Sequence, residues 1–233
     1  MKAHSFIRSA LFDAVRLYDP YPYRRYMRAN RIVFIHVPKT GGTAFLDAMK
    51  AKRARMHIPW QVFWQANKYR FERYRKLAVV RNPYDRVVSI YSYLMGGGSP
   101  GTDGPLAADV ARRAPNFESF VLEYLQPSRI CLHNLFRPQA FYVCDHAGKI
   151  MVDHLCRFEN LQADLDQVLR AVGMKNVVLA PVNRSVRSLD WRTYYTEASA
   201  ERVRELYSCD FDAFEYERSF EIPDSRESFS IAS

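Results

Sequence analysis

The stretch FIHVPKTGGTAFLDAM, residues 34–49, decides how this chain is read. The apolar, β-rich run RIVFIHV (31–37) stops at Pro38, and TAFLDAMKAKRA (43–54) has the composition and spacing of a helix. A short glycine-bearing loop joins them, so backbone N–H groups at the helix start are open to an anion. The order of residues in that loop is unusual. A nucleoside-triphosphate loop ends in Gly-Lys-Ser/Thr, with the lysine after the glycines. Here Lys39 comes first, followed by Thr40, Gly41, Gly42 and Thr43. The loop reads as an anion cradle, and a triphosphate is not the only anion it would suit.

A second strand–loop–helix follows. KLAVVR (76–81) reads as a strand and PYDRVVSIYSYL (83–94) as a helix, with Pro83 in the first turn where its missing N–H does no harm. Arg81 ends the strand, and Ser89 lies inside the helix one or two turns on. An arginine offers a rigid fork of donors that fits a phosphate, and a serine hydroxyl adds a bond to the same oxygens. The expected fold class is α/β, a P-loop-like parallel sheet flanked by helices on both faces, with ligands at the carboxyl ends of the strands. Both sites then face one crevice and describe a ligand that is anionic at two places.

Around these motifs, PWQVFWQANKYRFERY (59–74) reads as one helix, and MGGGSPGTDGPLAADVARRAP (95–115) as a long mobile loop of the kind that acts as a lid. NFESFVLEYL (116–125) is a helix with Asn116 as N-cap, AFYVCD (140–145) and HLCRFE (154–159) are short strands, and NLQADLDQVLRAVG (160–173) is an amphipathic helix ending at Gly173. TEASAERVRELYSCDF (196–211) is the last helix. One domain is expected over 31–220, preceded by a helix and basic connector (1–30) and followed by a tail (221–233).

No apolar run approaches the length of about 18 residues that a membrane span requires. The first thirty residues carry charges or breakers throughout, which argues against a span and a secretory signal. An amphipathic helix there that touches an anionic membrane surface and one packed on the domain both suit the sequence. Cys131, Cys144, Cys156 and Cys209 are widely spaced, without a C-x-x-C pair or a His/Cys cluster, so zinc is unsupported and reduced core thiols in a cytoplasmic protein are expected. Charge is uneven: residues 1–90 hold 19 Lys/Arg against 5 Asp/Glu, while residues 91–233 hold 15 against 20. A positive field concentrates polyanionic ligands, although a merely solvated basic face has the same composition.

FIHVPKTGGTAF with VVRNPYDRVVSIYSYL, then RPQAFYVCD and HLCRFENLQADL, then APVNRS and SCDFDAFEY, resembles the sulfotransferases that use 3′-phosphoadenosine 5′-phosphosulfate (PAPS). The most similar branch contains heparan sulfate 2-O-sulfotransferase and bacterial carbohydrate-sulfating relatives, and the resemblance runs over residues 31–217 in the expected order. It implies that the loop from Pro38 to Thr43 cradles the donor's 5′-phosphosulfate while Arg81 and Ser89 hold its 3′-phosphate. Arg184 and Ser185, in VNRSVRS, match a late stretch that closes over the nucleotide. The product would be adenosine 3′,5′-bisphosphate, no metal is implied, and the acceptor would be a hydroxyl of a carbohydrate or glycolipid, with no nucleic acid partner.

Such in-line transfer needs alignment, charge neutralisation and a base for the acceptor proton. Lys39 would meet charge on the oxygen that bridges sulfur and the leaving phosphate. His57, in RMHIPW, lies between the two motifs, where this branch carries its proposed catalytic histidine. His133 is the second choice: some relatives have a histidine immediately before the Arg-Pro pair, but Leu135 and Phe136 stand there here. His36 is expected to be packed. Arg137 and Gln139 are read as either acceptor contacts or structural residues. Glu159 and Asn160 are expected to cap the helix that follows them, and Trp60 and Trp64 to belong to the core.

Two rival readings follow from the residues. A nucleoside-triphosphate kinase would need a lysine after the glycines, and the only Gly-Lys pair, Gly148-Lys149, lacks the rest of that loop. A nucleotide- or polyanion-binding module without catalysis would use the basic half, but it gives no reason for Arg81 and Ser89 to accompany the loop.

Overall fold

The computed structural model of the chain describes residues 21–51, 56–99, 101–171 and 190–223. Its centre is a parallel sheet of β1 (Ile32–Ile35), β2 (Arg75–Val80) and β3 (His154–Arg157), in that order, with β2 in the middle. Ile35 pairs with Ala78 and Val80 with Arg157, so all three strands finish at the same edge. Every residue of β1, and β2 from Leu77 to Val80, is buried. Both faces are therefore covered, which is why these strands read as continuous apolar runs instead of alternating. The expected α/β class is found.

The segments between and around the strands are helical. In chain order they are α1 (Arg25–Asn30), α2 (Gly42–Ala48), α3 (Trp60–Ala66), α4 (Lys68–Arg73), α5 (Pro83–Met95) and α6 (Gly104–Arg113). Then come α7 (Phe117–Ser119, running into a π turn over Phe120–Tyr124), α8 (Pro127–Leu132), α9 (Ala140–Val143) and α10 (Leu161–Ala171). The last two are α11 (Glu197–Leu206) and α12 (Ser208–Phe214). Tyr23 and Met27 are buried with the sheet, so the core extends back past Arg31. A second apolar cluster joins Val87, Ile90 and Leu94 of α5 to Val110, Phe120, Phe136 and Val203.

Four readings of the sequence are corrected. Residues 59–74 form two helices, because Asn67 is extended (φ −161°) and its side chain caps α4 by accepting from Arg70 N–H. The glycine-rich loop ends at Asp103: residues 104–113 are helical, with Ala107 and Val110 buried. AFYVCD is mostly helix, for a tertiary reason: the buried carboxylate of Asp210 accepts from Gln139 N–H and Ala140 N–H, at 2.9 and 2.8 Å. That satisfies the first-turn donors which a helix otherwise leaves open, and overrides the β preference of Phe141, Tyr142 and Val143. The last helix breaks at Tyr207, whose buried hydroxyl donates to Phe136 C=O (2.9 Å).

Asn116 caps α7 as expected, accepting from Ser119 N–H. All four cysteines are free, but only Cys144 and Cys156 are buried; Cys131 and Cys209 are exposed. Among the described residues no helix is long and apolar enough to cross a membrane. The N-terminal segment to residue 20 and the expected helix end at Gly173 lie outside them.

Candidate active site

The loop after β1 holds its shape through backbone conformations that side chains resist. Lys39 has φ 64° and Gly41 φ 81°, the left-handed region on either side of Thr40. Alternating handedness turns successive N–H groups toward one side, the arrangement that makes an anion-binding nest. Thr40 is buried and donates from Oγ1 to Val37 C=O (3.0 Å), closing the turn. The N–H groups of Gly41, Gly42 and Thr43 find no acceptor among the described residues. Space also dictates the glycines: a Cβ on Gly41 would lie 2.8 Å from the Phe158 ring, and one on Gly42 2.5 Å from His36.

Arg81, directly after β2, reaches this loop. Its Nη1 donates to Lys39 C=O at 3.3 Å, its guanidinium lies 3.9 Å over the Phe158 ring, and it pairs with Asp85 at 2.7 Å. Gln139 fixes its backbone from both sides: Arg81 N–H donates to Gln139 Oε1 (2.9 Å), and Gln139 Nε2 donates to Arg81 C=O (2.8 Å). Gln139 is fully buried, so it extends the hydrogen bonding of β2 and does not face an acceptor. Arg137 is tied to Cys131 C=O and stacked on Phe141.

Asn82 caps α5 through its side chain, accepting from Tyr84 N–H (2.9 Å), while its own N–H donates to Glu159 Oε1 (2.7 Å). Glu159 therefore braces the start of α5 instead of capping the helix after it, with its other oxygen on Tyr216. Along α5 a four-residue step runs Asp85, Ser89, Tyr93, which puts these side chains on one face, and Arg81, just before the helix, pairs with the first of them. Ser89 is buried, and its hydroxyl forms no hydrogen bond among the described residues. Tyr93 holds the Lys39 ammonium 4.1 Å above its ring and donates its hydroxyl to Asp103 (2.6 Å).

Arg86 is a cation buried completely. It donates to Pro38 C=O (3.1 Å), Leu135 C=O (3.1 Å) and Arg137 C=O (2.9 Å), and so binds the anion loop to the segment carrying His133. Its Nη1 is buried without a partner among the described residues.

The histidines separate clearly. His57 approaches His36 C=O with Nδ1 at 2.9 Å, and a carbonyl only accepts, so Nδ1 carries the proton and Nε2 the lone pair. Burial lowers the His57 pKa first, with Arg86 and His133 adding to the fall; the His36 bond and Asp103 oppose it. His133 is arranged the other way, since its Nδ1 accepts from Leu135 N–H (3.2 Å) and its Nε2 faces Asp103 at 3.7 Å. Both of its nitrogens are engaged. His36 is buried, stacked on Phe34 and against His57.

Lys39, Arg81, Ser89 and His57 thus lie around the carboxyl edge of the sheet, as the motifs imply. Among the described residues, the exposed Arg31 and Arg75 sit at the amino ends of β1 and β2, at the opposite edge, with the exposed Arg73 just before β2. The sequence reading passed over Arg86, Tyr93 and Asp103; the four-residue step from Ser89 would have flagged Tyr93. Trp60 donates to Cys144 C=O and is packed on Phe71, whereas Trp64 is exposed beside Lys68. Arg184 and Ser185 lie outside the described residues. No group of three or more His, Cys, Asp or Glu able to hold a metal occurs among the described residues.

A glycine-bearing loop between a strand and a helix, braced by an arginine from the next strand end, is the mark of an α/β protein that handles anionic groups. The class can be narrowed to one family. The sequence profile of the sulfotransferase family matches residues 25–217, most of the chain, and the chain belongs to that family. It is a sulfotransferase, an enzyme of sulfuryl transfer. No curated protein and no solved structure matches it significantly.

Proposed function

We propose that the enzyme takes its sulfuryl group from PAPS and passes it to a hydroxyl of a carbohydrate or glycolipid, with His57 as base and Lys39 on the leaving side. The observation that carries this reading is the direct link between the two anion sites: Arg81 Nη1 on Lys39 C=O at 3.3 Å. A ligand with phosphates at two places would span them.

The residues fit such a donor. The N–H groups on Gly41, Gly42 and Thr43, without an acceptor among the described residues, and the lack of room for a Cβ on either glycine suit a close-lying 5′-phosphosulfate. Ser89, one helical turn after Asp85, supplies for the 3′-phosphate a hydroxyl without a hydrogen bond among the described residues, and Arg81, already shared with Asp85, is pre-oriented. Arg184 and Ser185 are proposed to close over the nucleotide. The donor, when bound, supplies an activated sulfur whose bond to the bridging oxygen breaks in line with the incoming hydroxyl.

The chain's own residues do the rest. Lys39 neutralises charge as it grows on the leaving phosphate. His57 Nε2 takes the acceptor proton, while the Nδ1–H bond to His36 C=O keeps the ring in the tautomer that can do so. The carbohydrate or glycolipid acceptor rests on resemblance to the carbohydrate-sulfating branch. Four free thiols support the cytoplasmic reading, and contact of the N-terminal segment with a membrane surface is part of the same proposal.

The test is transfer of a radiolabelled sulfuryl group from PAPS to a glycan and glycolipid library, without added metal. Labelled product is expected from the wild type, with turnover reduced at least about 100-fold in His57→Ala. Transfer from ATP of a phosphoryl group to the same acceptors would overturn the reading in favour of a kinase.

A further inference from the structure

Lysine is a poor choice for a fixed charge, because a long stem with four rotatable carbons lets the ammonium wander. In this enzyme something limits that freedom. The Lys39 ammonium lies 4.1 Å from the centroid of the Tyr93 ring, inside the range where a cation is drawn to an aromatic face. Tyr93 is itself fixed. Its hydroxyl donates to Asp103 at 2.6 Å, and the Asp103 carboxylate also accepts from Thr102 Oγ1 and faces His133 Nε2. A phenol that donates strongly to a carboxylate has a more electron-rich ring, which holds a cation better. Tyr93 also follows Ser89 by one helical turn on α5, so the ring keeps the ammonium beside the residues proposed for the donor.

We infer that Tyr93 is a positioning residue for the transfer: its ring face holds the Lys39 ammonium in the crevice, and Asp103 holds the ring. This rests on the proposed role of Lys39 and adds a residue to it. Tyr93 touches neither donor nor acceptor on this account; it acts through Lys39 alone. Asp103, the last residue of the glycine-rich segment, is in turn linked to the lysine through the Tyr93 ring. The start of α6 and the chemistry of the loop are thereby coupled through two side chains.

The experiment is a series at position 93 with turnover and donor KM measured for each member: tyrosine, phenylalanine, then mono-, di- and trifluorinated phenylalanine, and finally Tyr93→Leu. Fluorination drains the ring face with little change of shape, so a cation held by that face feels it step by step. Turnover is expected to fall progressively, by about tenfold across the fluorinated set, with donor KM changed much less. Tyr93→Leu is expected to lower turnover in the wild type but not further in Lys39→Ala. A flat fluorinated series overturns the inference, as does a Tyr93→Leu effect that is undiminished in Lys39→Ala. If Lys39→Ala itself keeps full turnover, the proposed role of Lys39 falls first. If Lys39→Ala is impaired while the series is flat, only the role of Tyr93 falls. The fluorinated members retain the aromatic volume, so the test survives a Tyr93→Leu variant that does not fold.

Discussion

His57 gives its Nδ1 proton to the backbone carbonyl of His36 across 2.9 Å, and this one bond decides which face of the imidazole is basic. His133, by contrast, spends Nδ1 on Leu135 N–H and turns Nε2 toward Asp103. Of the two, only His57 has an imidazole lone pair left for an incoming hydroxyl.

The first prediction concerns pH. Burial lowers the His57 pKa below its ordinary 6.5, so the ring is neutral at pH 7 and turnover should fall only below that value, as the ring protonates. His57→Ala should lower turnover by about 10² to 10⁴-fold with donor affinity nearly intact. Lys39→Ala should also lose turnover yet keep the acidic limb. The check is the pH profile of the wild type and both variants; full activity in His57→Ala would remove the base assignment.

The second prediction is structural. Arg86→Met leaves the carbonyls of Pro38, Leu135 and Arg137 without their donors in a buried setting. Removing one partner of buried hydrogen bonds costs more than the bonds contribute net, and about 2 to 4 kcal/mol of stability should go. Urea unfolding measures it. A loss below about 1 kcal/mol would mean that the loop closes without the arginine.

The third separates scaffolding from recognition at Gln139. Gln139→Ala leaves Arg81 N–H and C=O unpaired, so stability should drop by about 1 to 3 kcal/mol and nucleotide binding should weaken through Arg81. Acceptor KM should not change. A selective rise in acceptor KM would restore Gln139 to the acceptor site.

The fourth bears on the segment after α5. Amides from Ala107 to Ala114, hydrogen-bonded along α6 and into its cap with Ala107, Val110 and Ala114 buried, should be protected from hydrogen exchange, whereas Gly97, Gly98 and Gly101 should exchange fast in the free enzyme and slow with acceptor bound. Exchange that is slow throughout and indifferent to ligands would make the whole segment rigid.

How far the sequence could be read is clearest at particular residues. Lys39 to Thr43 and Arg81 to Ser89 were legible because each is a local pattern at a strand end, where fold topology fixes direction. Asn116 and Pro83 were legible for the same local reason. The helix at 140–143 was not, because its cap is the carboxylate of Asp210, seventy residues away. Glu159 was misjudged in the same way: the N–H it accepts from belongs to Asn82, on another strand end. Charge misled too. Among the described residues the exposed Arg31, Arg73 and Arg75 lie at the amino edge of the sheet, while two of the cations at the crevice, Arg81 and Arg86, are buried. Proline and glycine density marked 95–115 as a loop, but Gly104-Pro105 instead opens a helix, with proline in its first turn.

The central claim is that the crevice holds a nucleotide by two separate phosphates, and titration calorimetry without metal addresses it most directly. Adenosine 3′,5′-bisphosphate and AMP would be compared on the wild type and on Arg81→Ala. Taking away the charged partner of one phosphate should cost about 2 to 4 kcal/mol. The bisphosphate should therefore bind the wild type far more tightly than AMP does, and Arg81→Ala should erase most of that difference. Equal affinity of the wild type for both nucleotides would contradict the account.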